Sequence, residues 1–411
     1  MIEKRNFQDF QDFAQREISF AKEHVDDDTA RLLLSASRYP DINMPAAVQQ
    51  IEGLRVARDK WPGLLEYEEY LYPPRLNREQ ASSEATAAYK AQLPLPTNDC
   101  ELQTRVVDLT GGMGIDTLAF ARVAERVDYV ERDPRLCALM EHNCRALGLD
   151  NVRVHCADSI EWLSNNSELI TPTSALYIDP ARRSTSGRKV AAFEDCEPNI
   201  LEHMDLLLSH CSCLVVKASP MIDIDLAVRQ LGAVDEVHVV AVGGECKEVL
   251  FVCGGAAAAE PRIVCCNMNS QGNQNTMTFT RGEEAAAASC YCSSVRRYLY
   301  EPNAALMKGS PFNLIGQRYG LEKLARNSHL YTSDERVGDF PGRVWEVVAE
   351  VKPNRKDILA AVPGGRAHVV TRNYPVDAAT LQRQMGLKEG GALFVVATTV
   401  GSRRTAFLCK M

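Results

Sequence analysis

A chain of 411 residues with 45% hydrophobic content carries enough apolar side chains for more than one core, so two or three domains are expected. Its net charge of −8 excludes a uniformly basic protein, and no apolar run approaches the roughly 18 residues that a membrane-spanning helix needs. The opening MIEKRNFQDFQDF is mixed and charged, unlike a secretory leader, so a cytoplasmic protein with no membrane contact is expected.

The charge is unevenly distributed. From Ser293 to Met411 there are 18 Lys plus Arg against 10 Asp plus Glu, or +8, which leaves −16 for the rest. A basic tail on an acidic body points to a polyanionic partner; the other reading is a solvated basic surface. The 14 cysteines show no repeated C-x-x-C spacing, so no metal site is expected.

Residues 1–98 have helical apolar spacing, as in Val48, Ile51 and Leu54, interrupted at Pro40, Pro62 and Pro73-Pro74. From Arg105 to Gly254 predicted strands and helices alternate. Strands are expected at 105–109, 127–130, 152–156, 175–178 and 214–216, and helices at 115–123, 134–147, 198–210 and 223–231. Two further strands, 237–242 and 249–253, are too close for a crossover and must be antiparallel. The alternation predicts a mostly parallel sheet covered by helices on both faces. Loops are expected at 254–259 and 270–275, with strands between and after them. A final α+β region follows, with strands at 344–351, 367–371, 393–398 and 406–409 and helices at 355–361 and 378–385.

The stretch VDLTGGMGID, Val107 to Asp116, ends a strand in an acid and runs into clustered glycines. A dinucleotide loop of the G-x-G-x-x-G type requires a third glycine where Thr117 stands, and Asp116 would oppose a pyrophosphate. No Gly-Lys-Ser/Thr follows, which excludes a P-loop. A ligand that is neutral or cationic at this point suits Asp116 better. Glu131 lies 20 positions beyond Gly111 at the end of the second strand, where an acid commonly holds a ribose diol. Asp158 follows the third strand and Asp179 the fourth. With Asp108, four carboxylates fall at successive strand ends, the edge where open α/β sheets bind ligands.

This pattern resembles the class I S-adenosylmethionine-dependent methyltransferases. The resemblance implies S-adenosylmethionine as cofactor, held by Asp108, Gly112, Gly114, Glu131 and Asp158 with their neighbours Thr110, Gly111, Arg132 and Ser159. Asp116 would face the ligand's cationic groups, and Asp179 the reacting end. Thr110 stands where the family's loop has its first glycine. The segment entering the fold implies Gln80, Ser82 and Ser83 near the methionine end, or a polar helix start capped by the serines.

In YIDPARR, Asp179, Pro180 and Arg182 match the substrate-facing motif, but no aromatic follows the proline. Arg182 and Arg183 either hold a phosphate or base, or are solvated cations. Lys217, in VKASPMIDID, faces the same edge. The turn at GECKEVL either covers the site or is a tight hairpin.

Together with YLYEPNAALMKGSPFN, YGLEKLARNSHLYTSD and VTRNYPVDAATLQRQMGLKEGG, these motifs resemble a bacterial methyltransferase subfamily with a ferredoxin-like segment and a C-terminal THUMP-like domain. The expectation is an α/β protein with a Rossmann-like seven-stranded methyltransferase sheet, mostly parallel with an antiparallel last strand. The expected domains are an N-terminal helical region (1–98), a methyltransferase domain (99–283), a ferredoxin-like segment (284–342) and a THUMP-like α+β domain (343–411). The implied reaction is methylation of a structured RNA, ribosomal or transfer, with no DNA partner. Arg366, Arg372, Arg383, Lys388, Arg403 and Arg404 are candidate backbone contacts. A protein or small-molecule acceptor, or a noncatalytic RNA-binding role, stays open at this point, as does the oligomeric state.

Overall fold

The computed structural model describes residues 15–93, 105–166, 174–182, 193–254, 260–269 and 272–411. They divide into two compact units, Met1–Glu236 with Glu248–Ala258, and Val237–Lys247 with Ala259–Met411.

In the first unit, short helices lead into the sheet, among them Met44–Lys60, Arg75–Gln80 and Glu84–Lys90. The prolines set their limits: Met44–Lys60 has Pro45 in its first turn, and Pro73-Pro74 precede Arg75–Gln80. Its strands are β1 (Arg105–Asp108), β2 (Arg126–Glu131), β3 (Val152–Cys156), β4 (Ala175–Ile178), β5 (Ala181–Arg182), β6 (Cys196–Glu197) and β7 (Cys213–Ala218), while β8 (Val234–Val242) and β9 (Glu245–Gly254) are divided between the units, since Val237–Lys247 belongs to the second. β1 pairs in parallel with β2 and β4, β2 with β3, and β4 with β7, while β9 runs antiparallel to β7. Val106, Val107, Leu176, Leu214 and Val216 are buried. Such unbroken apolar strands are what a parallel sheet covered on both faces requires.

Two further strands, β10 (Arg262–Met268) and β11 (Gln274–Phe279), correct the expected count of seven. The order is β11-β10-β8-β9-β7-β4-β1-β2-β3, nine strands in all. An edge strand with unpaired N–H and C=O groups invites another partner, and here the antiparallel β10–β11 pair takes that edge. β11 begins inside the loop expected at 270–275, whose residues 270–271 lie outside the described residues, as do 255–259 of the other expected loop.

In the second unit the C-terminal strands share a sheet with the strands that precede them. β12 (Tyr298–Pro302), β13 (Glu322–Lys323), β14 (Tyr331–Ser333), β15 (Gly342–Val351), β16 (His368–Thr371), β17 (Leu393–Val400) and β18 (Arg403–Lys410) share one sheet. Its order is β13-β14-β12-β15-β18-β17-β16, with only the β16–β17 pair parallel. The link is β12 against β15, placing Leu299 opposite Trp345. Both are fully buried, so separating the strands would expose a shared core. Ile358, Leu381 and Met385 from the two C-terminal helices pack with Val395, Ala397, Ala406 and Leu408.

Candidate active site

The glycine loop is tied down at both ends by carboxylates. Asp108, closing β1, is fully buried. It accepts from the Thr110 amide at 3.1 Å and the Thr117 hydroxyl at 2.6 Å. Burial pushes its carboxyl up to about 7, against these hydrogen bonds. Glu131, closing β2, accepts from the Gly112 amide at 3.0 Å with one oxygen and from the Asp133 amide at 2.8 Å with the other. Each oxygen keeps acceptor capacity for a further donor. Between them Gly111 donates to the Val130 carbonyl at 3.0 Å. A Cβ at Gly111 would lie 2.2 Å from the Tyr129 ring, so the loop can lie against this tyrosine only with glycine there. Tyr129 in turn donates to the Gly112 carbonyl at 2.8 Å.

Thr110, the departure from the usual glycine, has a structural use: its hydroxyl accepts from the Asp179 amide at 2.7 Å. The loop after β1 is thereby fastened to the segment after β4. Beyond Pro180 the chain forms β5, which pairs with β6 by Ala181 opposite Glu197 and Arg182 opposite Cys196. Arg132 reaches Glu197 at 2.6 Å, so two strand ends are clipped together. Arg182 is assigned by its place in β5, and Arg183 lies outside the described residues.

Beside the loop lies a group of charges in which sequence reasoning named Asp116, Asp179 and Lys217 but not Lys90 or Glu248. Lys90, fully buried, donates to both oxygens of Glu248 at 2.7 and 2.8 Å and to the Ser82 hydroxyl at 3.1 Å. Its ammonium lies 3.2 Å from Asp116. Asp116 also accepts from the Ser82 hydroxyl at 2.8 Å and the Tyr177 hydroxyl at 2.9 Å. Lys217, at the end of β7, pairs with Asp179. Burial opposes charge on Asp116, but Lys90 and Lys217 outweigh it and hold the carboxyl below its ordinary range. Burial likewise opposes the Lys217 ammonium, and Asp179, Glu248 and Asp116 outweigh it and raise its affinity for the proton. Glu248 is pushed up by burial.

The expected entry residues separate. Ser82 joins the charge cluster, while its carbonyl accepts from the Trp61 indole at 2.7 Å. Ser83 caps the Glu84–Lys90 helix together with Thr86, and Gln80 is exposed at the end of its own helix. Asp158 is exposed and caps the Ser159–Asn165 helix, accepting from the Ile160 and Glu161 amides, and Ser159 is buried beside it. The GECKEVL turn is a hairpin between β8 and β9, with Gly243 and Gly244 at φ +61° and +85°. Arg372 pairs with buried Glu301, and Arg403 pairs with Glu350. Arg404 is exposed. Among the described residues no cluster of His, Cys, Asp or Glu could hold a metal ion, and no helix is long and apolar enough to cross a membrane.

Comparison with known proteins adds chemistry to this geometry. Residues 298–341 match the family described as a ferredoxin-like domain, and 342–411 the family described as THUMP domain-like. The crystal structure of a protein from Porphyromonas gingivalis W83, assigned as a methyltransferase, is 31% identical. It superposes with a TM-score of 0.84 over 97% of this chain and 98% of that one. An S-adenosylmethionine-dependent methyltransferase of Mycobacterium tuberculosis H37Rv is 26% identical, the match covering 81% of this chain and 87% of the relative. The 23S rRNA (uracil(1939)-C(5))-methyltransferase of Edwardsiella ictaluri is 35% identical over 107 residues, 25% of this chain and 24% of that enzyme.

Proposed function

Because the chain belongs to the S-adenosylmethionine-dependent methyltransferases that carry ferredoxin-like and THUMP-like domains, we propose that it transfers the methyl group to a structured RNA, ribosomal or transfer. The observation that carries this reading is the Asp179–Lys217 pair at the strand-end edge, beside a glycine loop whose donors and acceptors suit the cofactor.

The residues fit S-adenosylmethionine. Glu131 has acceptor capacity for a ribose diol. Gly112, half-buried and at φ +54°, gives the turn a backbone free of side chain. The Asp116 oxygen nearest Lys90 is buried and accepts no hydrogen bond, an acceptor suited to the cationic methionine end. Asp108 keeps the loop in place, and Asp158 sits at the third strand end, where it can accept from an adenine amine.

When bound, the cofactor supplies a methyl group activated by sulfonium. What remains for the protein is to align the acceptor, exclude water and receive a proton. Asp179 takes the acceptor's N–H or O–H as a hydrogen-bond acceptor, and Lys217 fixes that carboxylate's position. Pro180 stiffens the backbone beyond it. No cysteine lies from Val215 to Pro220, so the Lys217 end of β7 offers no thiol for attack on a pyrimidine carbon.

RNA as the acceptor is supported by the THUMP domain-like match, the partial likeness to an rRNA methyltransferase, and the basic C-terminal part. The test is transfer of labelled methyl from S-adenosylmethionine into total RNA and total protein from cells lacking the gene. Label that ribonuclease removes and protease leaves supports the reading. Label confined to protein or small molecules overturns it.

A further inference from the structure

Within the residues matched as THUMP domain-like, 11 Lys and Arg stand against 5 Asp and Glu. Where the surplus lies can be found by removing the paired charges. Arg343 and Arg372 both pair with Glu301, and Arg403 pairs with Glu350. Arg403 and Glu350 cancel, while Arg343 and Arg372 share one buried carboxylate and leave a single positive charge between them. Eight cations remain, all exposed and in no ion pair among the described residues, and Arg355, Arg366 and Lys388 are among them.

These three cations also meet in one place. Arg366 and Lys388 are partners in an isolated parallel bridge. Around it the Lys388 amide donates to the Gly365 carbonyl at 2.8 Å, and the Ala367 amide to the Lys388 carbonyl at 3.1 Å. The Arg355 guanidinium lies over Gly386, where an added Cβ would be 3.2 Å from its nitrogens; Arg366 lies over Gly390 at 3.4 Å. Both glycines have positive φ, +72° and +107°, so the guanidinium planes rest on bare main chain. Arg366 is steadied by the Glu389 carbonyl at 3.0 Å. The one acid in the corner, Glu389, is turned to His368 at 2.5 Å.

We propose that this corner, Arg355, Arg366 and Lys388 on the 386–391 loop, grips the phosphodiester backbone of the RNA acceptor. The inference rests on the RNA reading above and makes it more specific: the grip lies here rather than at Arg403, whose charge is matched by Glu350, or at Arg372, which is held against buried Glu301. Fixed guanidinium planes suit phosphate oxygens. Backbone contacts of this kind release counterions and bind with little sequence preference.

The test compares the full-length protein with the triple variant Arg355→Ala/Arg366→Ala/Lys388→Ala. The control variant is Arg297→Ala/Arg403→Ala, which removes two charges paired with Glu346 and Glu350. Binding to fragmented ribosomal RNA and to a transfer RNA transcript is measured from low to moderate salt. The triple variant is expected to lose at least about tenfold in affinity, and its log–log salt slope to fall by about 2. The control is expected to stay within about twofold, and S-adenosylmethionine affinity and thermal midpoint are expected to be unchanged in both variants. Wild type that binds RNA, with a triple variant that binds equally and with the same slope, overturns the corner and leaves the RNA reading standing. Wild type that binds neither RNA overturns both. If the triple variant loses its fold, Lys388→Glu alone, on an exposed loop position, replaces it. A folded Lys388→Glu protein with undiminished RNA affinity overturns the corner equally.

Discussion

The two units use the same side chains in opposite ways. In the first, Lys90, Asp116, Glu248 and Lys217 are held together with water largely excluded, and each sets the charge of the others. In the second, Arg296, Arg297 and Arg403 meet Glu322, Glu346 and Glu350 at the surface. A buried pair is costly to break because the survivor is stranded without solvent. An exposed pair dissolves into water at little cost. Charge therefore fixes geometry in the first unit, while in the second the unpaired remainder sets what the surface attracts. Glu301 is the exception: it is buried in the second unit and held by Arg343 and Arg372.

Breaking the comparison is easiest at Lys90. Lys90→Met leaves Glu248 and Asp116 buried without their cation and is expected to cost about 3–5 kcal/mol, read by urea denaturation. Adding Glu248→Leu should restore part of that loss; no restoration would mean the pair is not what holds the two elements.

Asp108 gives the next largest effect, and it depends on pH. Its native carboxyl is raised from 3.8 to about 7, so between these values the folded state binds the proton more tightly than the unfolded state. Stability from this group is thus greatest at the acid end and is lost as pH rises through 7. Asp108→Asn should gain on wild type across that window, by on the order of a few kcal/mol. A pH-independent difference between the two proteins would contradict the assignment.

Gly111→Ala places a methyl group against the Tyr129 ring and is expected to cost about 1–3 kcal/mol. Calorimetric titration should show weakened S-adenosylmethionine binding alongside the lower stability. The smallest effect belongs to the surface: Arg297→Ala and Arg403→Ala are each expected to change stability by less than about 1 kcal/mol. A larger loss in thermal melting would erase the distinction between the units.

Much of the loop was legible because its information is local. An acid that ends a strand, a turn that needs glycine and a second acid about twenty residues on all lie within one stretch of chain, and the structure brings Asp108, Gly112 and Glu131 together through hydrogen bonds. Lys90 and Glu248 were not legible, being 158 residues apart. No periodicity reports a pairing at that distance. One signal was available, since Glu248 stands directly before Val249, Leu250 and Phe251 in β9, a charge in an apolar strand that demands a partner. Strands between and after the two loops were expected and are β10 and β11; that they extend the main sheet to nine strands was not, because adding a pair to a sheet edge is decided by the edge, not by the strands' own composition.

The most direct measurement is Asp179→Asn, assayed for methyl transfer to RNA and for S-adenosylmethionine affinity on the same preparation. Loss of the carboxylate should lower transfer by about 100-fold or more while the cofactor's Kd stays within about twofold. Transfer at the wild-type rate would contradict the account, because the Asp179–Lys217 pair would then have no part in presenting the acceptor.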